Sequence, residues 1–196
     1  AAGLEPTGAK DPFAQRRAAL GLVQNLINWD LDIDLRQCLS LAAENQPIES
    51  TPENQKSCLA FIVGRLRTYL IELGIRYDVV DAVLAVQKQN PAGAKRAASE
   101  LSEWFSRQEW NTILAAYARC VRITRDIVEI YEVDPGLLIE PAEIELIQAL
   151  KKVEEVEIKA GSVENFLTAF QPLIPTIDRF FEDVLVMAED EKLRMS

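Results

Sequence analysis

TPENQKSCLAFIVGRLRTYLIELG, Thr51 to Gly74, is the stretch whose reading decides the fold. Thr51 followed by Pro52 marks a helix start. The threonine oxygen can accept a free backbone N–H of the first turn, and proline is tolerated at the first helical position because its missing N–H would have no partner there. Leu59, Ile62, Val63, Leu66, Leu70 and Leu73 then recur three and four residues apart, which puts them on one face of a helix. Gly74 can take the left-handed conformation that commonly ends a helix. The spacing predicts one long amphipathic helix.

Similar punctuation recurs on both sides. Asp11-Pro12 predicts a capped helix running to about Asn28, with Leu20, Val23, Leu26 and Ile27 on its apolar face. Leu35 to Ala43 reads as a shorter helix after an acidic turn, and Gln46 to Ser50 as a linker. Helices are predicted for Tyr77 to Gln89, from Asn90-Pro91 through Trp104 and Phe105, and, as the longest of all, from Arg107 to about Ile130. Asp134-Pro135-Gly136 is a turn; Pro141 opens a helix to about Lys159, closed by Gly161. Ser162 can cap a helix to Phe170, and a final helix begins near Pro172 with Pro175 in its first turn, where a missing N–H costs little. No stretch alternates with period two and no Asn-Gly or Asp-Gly hairpin turn occurs. The chain is predicted to be all-α, a helical bundle of roughly nine helices, with a boundary near residue 50.

A chain of 196 residues with 48% hydrophobic residues can build a sizeable core. Its apolar runs fall far short of the roughly 20 residues a membrane span needs. The opening AAGLEPTGAKDP reads like the interior of a longer protein. Histidine is absent, which removes the commonest general base and metal ligand, and with them a Ser-His-Asp triad or a Cys-His pair. Cys38, Cys58 and Cys120 are widely spaced among apolar neighbours and are expected to be buried reduced thiols. Asp30, Asp32 and Asp34 alternate faintly like a calcium loop, but the glycine and glutamate that such a loop needs are missing. No phosphate-cradling glycine loop is present. Glu154, Glu155 and Glu157 read as a solvated helix face.

Charge is the most informative bulk property. The chain carries −10 overall, but residues 1–64 hold −3, residues 65–125 hold +4 and residues 126–196 hold −11. The acidic total disfavours nucleic acid at long range, yet a basic middle could hold a phosphate backbone if its cations share one surface. On the long helix, Ile113, Tyr117, Cys120, Thr124 and Val128 fall in one sector, with Arg107, Arg119, Arg122 and Arg125 expected on the opposite side. Arg65, Arg67 and Arg76, beside Tyr69 and Tyr77, form a second basic group. The plainer reading of both groups is a solvated face paired with acids.

Four stretches together resemble the C-terminal part of the beta subunit of bacterial tetrameric glycyl-tRNA synthetase: GLEPTGAKDPFAQRRAALGLVQNL (Gly3–Leu26), RLRTYLIELGIRYDVVDAVLA (Arg65–Ala85), VDPGLLIEPAEIELIQAL (Val133–Leu150) and FFEDVLVMAEDEKLRMS (Phe180–Ser196). The resemblance implies that residues 1–50 are the last helices of a preceding helical domain. Residues 51–196 would be an anticodon-binding domain of the type named after Asp-Ala-Leu-Arg. The match to that signature is inexact: Asp190-Glu191-Lys192-Leu193-Arg194 has one extra residue, and Asp190 and Arg194 are spaced for an ion pair along a helix. Gln15 and Arg122 also depart from the family pattern.

It further implies a non-catalytic part of a glycine–tRNA ligase in the cytoplasm, with tRNA(Gly) and the alpha subunit as partners in a heterotetramer of two alpha and two beta chains. Glycine activation with ATP and Mg would fall to the alpha subunit, leaving no cofactor here and no contact with a membrane. The candidate RNA contacts are Arg65, Arg67, Arg76, Arg119, Arg122 and Arg125 to phosphates, with Tyr77 as a stacking residue. The alternative is a purely structural helical module for subunit assembly.

Overall fold

The computed structural model describes residues 6, 11–127 and 133–184. The tail beyond Val184, with the Asp190–Arg194 spacing, lies outside the described residues, as does Val128. Among the described residues the fold is all-α, with nine α-helices and no strand. They are α1 (Gln15–Asn28), α2 (Leu35–Glu44), α3 (Pro52–Glu72), α4 (Tyr77–Gln87), α5 (Pro91–Phe105), α6 (Trp110–Thr124), α7 (Pro141–Glu154), α8 (Val163–Phe170) and α9 (Ile174–Asp183). The chain divides into two compact units, Ala1–Glu103 and Trp104–Ser196. The division falls within α5, and position 50 lies inside the first unit, between α2 and α3.

In the first unit α3 packs against α1, α2 and α4. Its 21 residues make it the longest described helix, and its buried stripe is Ile62, Leu66 and Leu70, four residues apart. Both ends behave as their residues dictate. Thr51 Oγ1 accepts the Asn54 N–H at 3.2 Å. Gly74 sits at φ +88°, the N–H of Gly74 reaches Ile71 O at 2.9 Å, and that of Ile75 reaches Leu70 O at 3.3 Å, a Schellman closure. α1 ends the same way without glycine: Asp30 takes the left-handed conformation at φ +48°, and Leu31 N–H reaches Leu26 O at 2.9 Å. Aspartate tolerates that region better than most side chains. The start of α1 is later than Asp11-Pro12 suggests. The helix begins at Gln15, and the Asp11 carboxylate accepts the N–H groups of Arg16 and Arg17 at 3.1 and 3.4 Å.

The three alternating aspartates do two separate things. Asp34 caps α2 through the Arg36 N–H at 2.8 Å and pairs with that arginine's guanidinium. This pairing, ahead of its other surroundings, holds the Asp34 carboxyl below its usual range. Asp30 and Asp32 both grip Arg96 of α5, and Asn90 Nδ2 donates to Asp32 at 2.7 Å. They act as a clasp between the α1–α2 turn and α5, with the Arg96 guanidinium as the cation they hold.

In the second unit the core is Trp104, Ile113, Ala116, Leu167, Leu173, Ile174 and Ile177. Trp104 is 1% exposed, and its indole N–H donates to Glu164. Two expected lengths are shortened. The segment expected to be the longest helix begins at Trp110 and, among the described residues, is helical to Thr124, with 128–130 outside them. α7 stops at Glu154 and does not reach Lys159. Glu154, Glu155 and Glu157 would put negative charge at the negative end of the helix dipole, and the β-branched Val156 and Ile158 add no helical preference. Ser162 caps α8 through Asn165 N–H at 3.2 Å, and α9 starts at Ile174 after one 3-10 turn, with Pro175 in its first turn, as its spacing predicts.

Candidate nucleic-acid interface

The seven residues singled out from the sequence fall in two units, four in the first and three in the second. In the first, α3 and α4 set the geometry. Arg67 makes a bidentate contact with Asp81 of α4, Nε to Oδ1 at 2.6 Å and Nη2 to Oδ2 at 2.9 Å. Arg76, the residue before α4, binds Asp78 at 3.1 and 2.7 Å. Asp78 and Asp81 are three apart on α4 and so share a face. Arg67 and Arg76 are therefore both drawn to one side of that helix. These hydrogen bonds lower the carboxyl pKa of both aspartates below its usual range. Tyr77, in the same turn, is 66% exposed. Arg65 stands apart: its guanidinium lies 6.0 Å from the centre of the Phe61 ring, and its Nε is buried without a hydrogen-bond partner.

In the second unit the expected single arginine face of the long helix does not form. Arg107, in the turn before α6, lies over the Trp104 ring at 3.7 Å and reaches Glu164 at 3.3 Å. Arg119 lies over the Phe181 ring at 4.4 Å and donates to Asp178 at 3.0 Å. Both are tied to acids of the C-terminal third, through partners some 60 positions away in sequence that helical periodicity cannot reveal. Arg122 is exposed and has no acidic partner among the described residues. Arg125 is exposed, and its side chain pairs with the neighbouring Asp126 at 3.3 Å. These two are the arginines the fold leaves on open α6 surface.

Helical periodicity also misplaced Tyr117. The buried side of α6 is Ile113 and Ala116, with Cys120 half-buried. Tyr117 is 44% exposed and meets two rings of α8 edge-on, Phe166 at 6.2 Å and Phe170 at 5.9 Å between centroids. Phe166 and Phe170 are stacked at 6.0 Å. This aromatic group escaped the sequence reading because Phe166 and Phe170, four apart on a helix, look like an ordinary core pair. The buried side of α8 is Leu167 and Ala169.

The cysteines divide likewise. Cys38 and Cys58 are exposed, contrary to expectation, since most of the first two turns of α3 is exposed and Leu35 is the one buried residue described on α2. Burial raises the Cys120 thiol above its usual pKa, so less of it is thiolate. Titration with a thiol reagent near pH 8 should therefore show two fast thiols and one slow one. Three equally fast thiols would contradict the packing of Cys120.

Taken together, the described residues define an all-helical protein of two units, with arginine–carboxylate pairing throughout and an aromatic cluster beside two open arginines in the second. Residues 1–85 match the family model described as glycyl-tRNA synthetase beta subunit. The chain is 36% identical to the glycine–tRNA ligase beta subunit of Acidobacterium capsulatum, over 99% of this chain and 29% of that protein. It is 32% identical to the beta subunit of Clostridioides difficile, over 99% and 29% respectively. A third relative, glycine–tRNA ligase, chloroplastic/mitochondrial 2, of Arabidopsis thaliana, is 31% identical over 99% of this chain and 18% of its own length. The chain spans about three-tenths of the length of the bacterial relatives it matches. Among the described residues, no helix is long and apolar enough to cross a membrane.

Proposed function

We propose that this chain is a tRNA-binding, anticodon-recognising segment of a glycyl-tRNA synthetase beta subunit, acting in the cytoplasm to support attachment of glycine to tRNA(Gly). The carrying observation is likeness to glycine–tRNA ligase beta subunits along 99% of the chain. On this reading residues 51–196 are the C-terminal anticodon-binding domain and residues 1–50 belong to the helical domain before it. Glycine activation, with ATP and Mg, falls to the alpha subunit, two copies of which form a heterotetramer with two beta chains. The segment itself binds and positions RNA without a cofactor.

The role suits an all-α surface. Anticodon-loop bases are unstacked, so a protein can hold their phosphates with arginine and meet their faces with aromatic rings. Arg122 and Arg125 are the most exposed of the proposed phosphate contacts on α6, Arg125 sharing its guanidinium with Asp126 alone among the described residues. Arg65, Arg67, Arg76, Arg119 and Tyr77 complete the proposed set; Arg67, Arg76 and Arg119 must exchange or share a protein partner to reach RNA. A second reading is favoured by that pairing: Arg67, Arg76, Arg107 and Arg119 each hold a carboxylate, as a module built for assembly alone would have them do.

Titration of the chain with tRNA(Gly) and with the same tRNA carrying another anticodon, at low salt, separates the two. Preference for tRNA(Gly) that weakens as salt rises is expected. Equal affinity for both would remove the anticodon-reading role.

A further inference from the structure

The surface of α6 and α8 carries an aromatic cluster that the arginine set above does not use. Tyr117 and Phe166 are 44% and 42% exposed, and Leu114 and Val121 beside Tyr117 are 47% and 40% exposed. Phe170 is partly buried and packs on the core, so it fixes the cluster from beneath. An exposed apolar patch of this kind generally marks a contact site. Its composition narrows the occupant. Tyr117, Val121 and Arg125 follow one another at four-residue steps, a row about 12 Å long on one helix face. Arg122 lies on the next row and has no acidic partner among the described residues, although residues 126–196 carry −11. A helix face seeking an apolar protein partner has no use for open cations at its end. Open rings beside open cations match a ligand with flat bases and a negative backbone.

We infer that Tyr117 and Phe166, braced by Phe170, form a stacking platform for unpaired bases of single-stranded RNA, with Arg125 and Arg122 taking the adjoining phosphates. The inference rests on the tRNA-binding reading and deepens it: the stacking site is on α6 and α8. Every base has a π-face, so the platform supplies affinity for loop nucleotides and leaves base identity to other contacts.

The test is equilibrium binding of the full chain to an anticodon stem-loop oligonucleotide with one loop base replaced by 2-aminopurine, whose emission is quenched by stacking. Phe166→Leu keeps an apolar side chain and removes the ring. It should weaken binding about 5- to 160-fold, the range that loss of one base–aromatic stack covers. It should also abolish quenching and leave the salt dependence unchanged, because no charge is lost. Tyr117→Leu, on the other helix, should repeat this signature, and Phe166→Trp should restore binding. If the wild-type chain binds the oligonucleotide and both leucine variants bind and quench as it does, the platform is wrong and the tRNA reading survives. If the wild-type chain binds neither the oligonucleotide nor tRNA(Gly), both fall.

Discussion

Trp104→Ala is expected to destabilise the second unit by about 3–5 kcal/mol, the usual cost of truncating a buried large aromatic. Trp104 is the largest fully buried side chain described and sits in the core with Ile113, Leu167 and Ile177. Its removal leaves a cavity, strips Glu164 of the indole N–H, and takes away the ring under Arg107. A small domain has only about 5–15 kcal/mol in total, so the variant should melt far below wild type or populate an unfolded second unit at room temperature. Urea unfolding followed by far-ultraviolet circular dichroism measures this. Trp104→Phe, which keeps an aromatic ring but loses the hydrogen bond, should retain most of the stability. An alanine variant as stable as wild type would mean that the core is built around other residues.

The second large effect is on binding. Arg122→Glu combined with Arg125→Glu should weaken affinity for tRNA(Gly) by about 150-fold or more at low salt, since each charge-assisted hydrogen bond contributes roughly 1.5–3 kcal/mol. Replacing both by glutamine should reduce the slope of log K against log salt by about 0.7 per arginine for contacts to a single strand. Both residues are exposed but lie at the C-terminal end of α6, so the double glutamate should cost about 1 kcal/mol of stability through the helix dipole, and the glutamine pair less. Arg119 is a poorer choice for charge reversal. A glutamate there would face Asp178 and abandon Phe181, mixing a folding defect with any binding defect. Unchanged RNA binding by the Arg122/Arg125 variant would support the assembly-module reading.

The fold was legible where a single residue type settles a local question. Thr51, Ser162 and Gly74 announce helix ends through hydrogen bonds and backbone freedom, and the Ile62–Leu66–Leu70 stripe announces what is buried. Legibility failed where the deciding partner is remote. Nothing near Arg119 in sequence points to Asp178, and nothing near Asp30 points to Arg96. The arginine face expected on the long helix dissolved for that reason: two of its members are drawn to acids of other elements. The aromatic cluster failed for a different reason. A phenylalanine pair at helical spacing looks the same whether it lines a core or a surface, and only the burial of Leu167 and Ala169 separates the cases. The end of α7 was readable in principle, because three glutamates oppose the dipole there, but Gly161 offered a more conspicuous stop.

The central claim is that this helical surface grips the unpaired loop of a tRNA. Chemical footprinting of tRNA(Gly), with and without the chain, measures it most directly. Protection confined to anticodon-loop nucleotides, and lost with Arg122→Glu/Arg125→Glu, is the predicted result. Protection of the acceptor stem alone, or a loop as reactive with the chain as without it, would contradict the account.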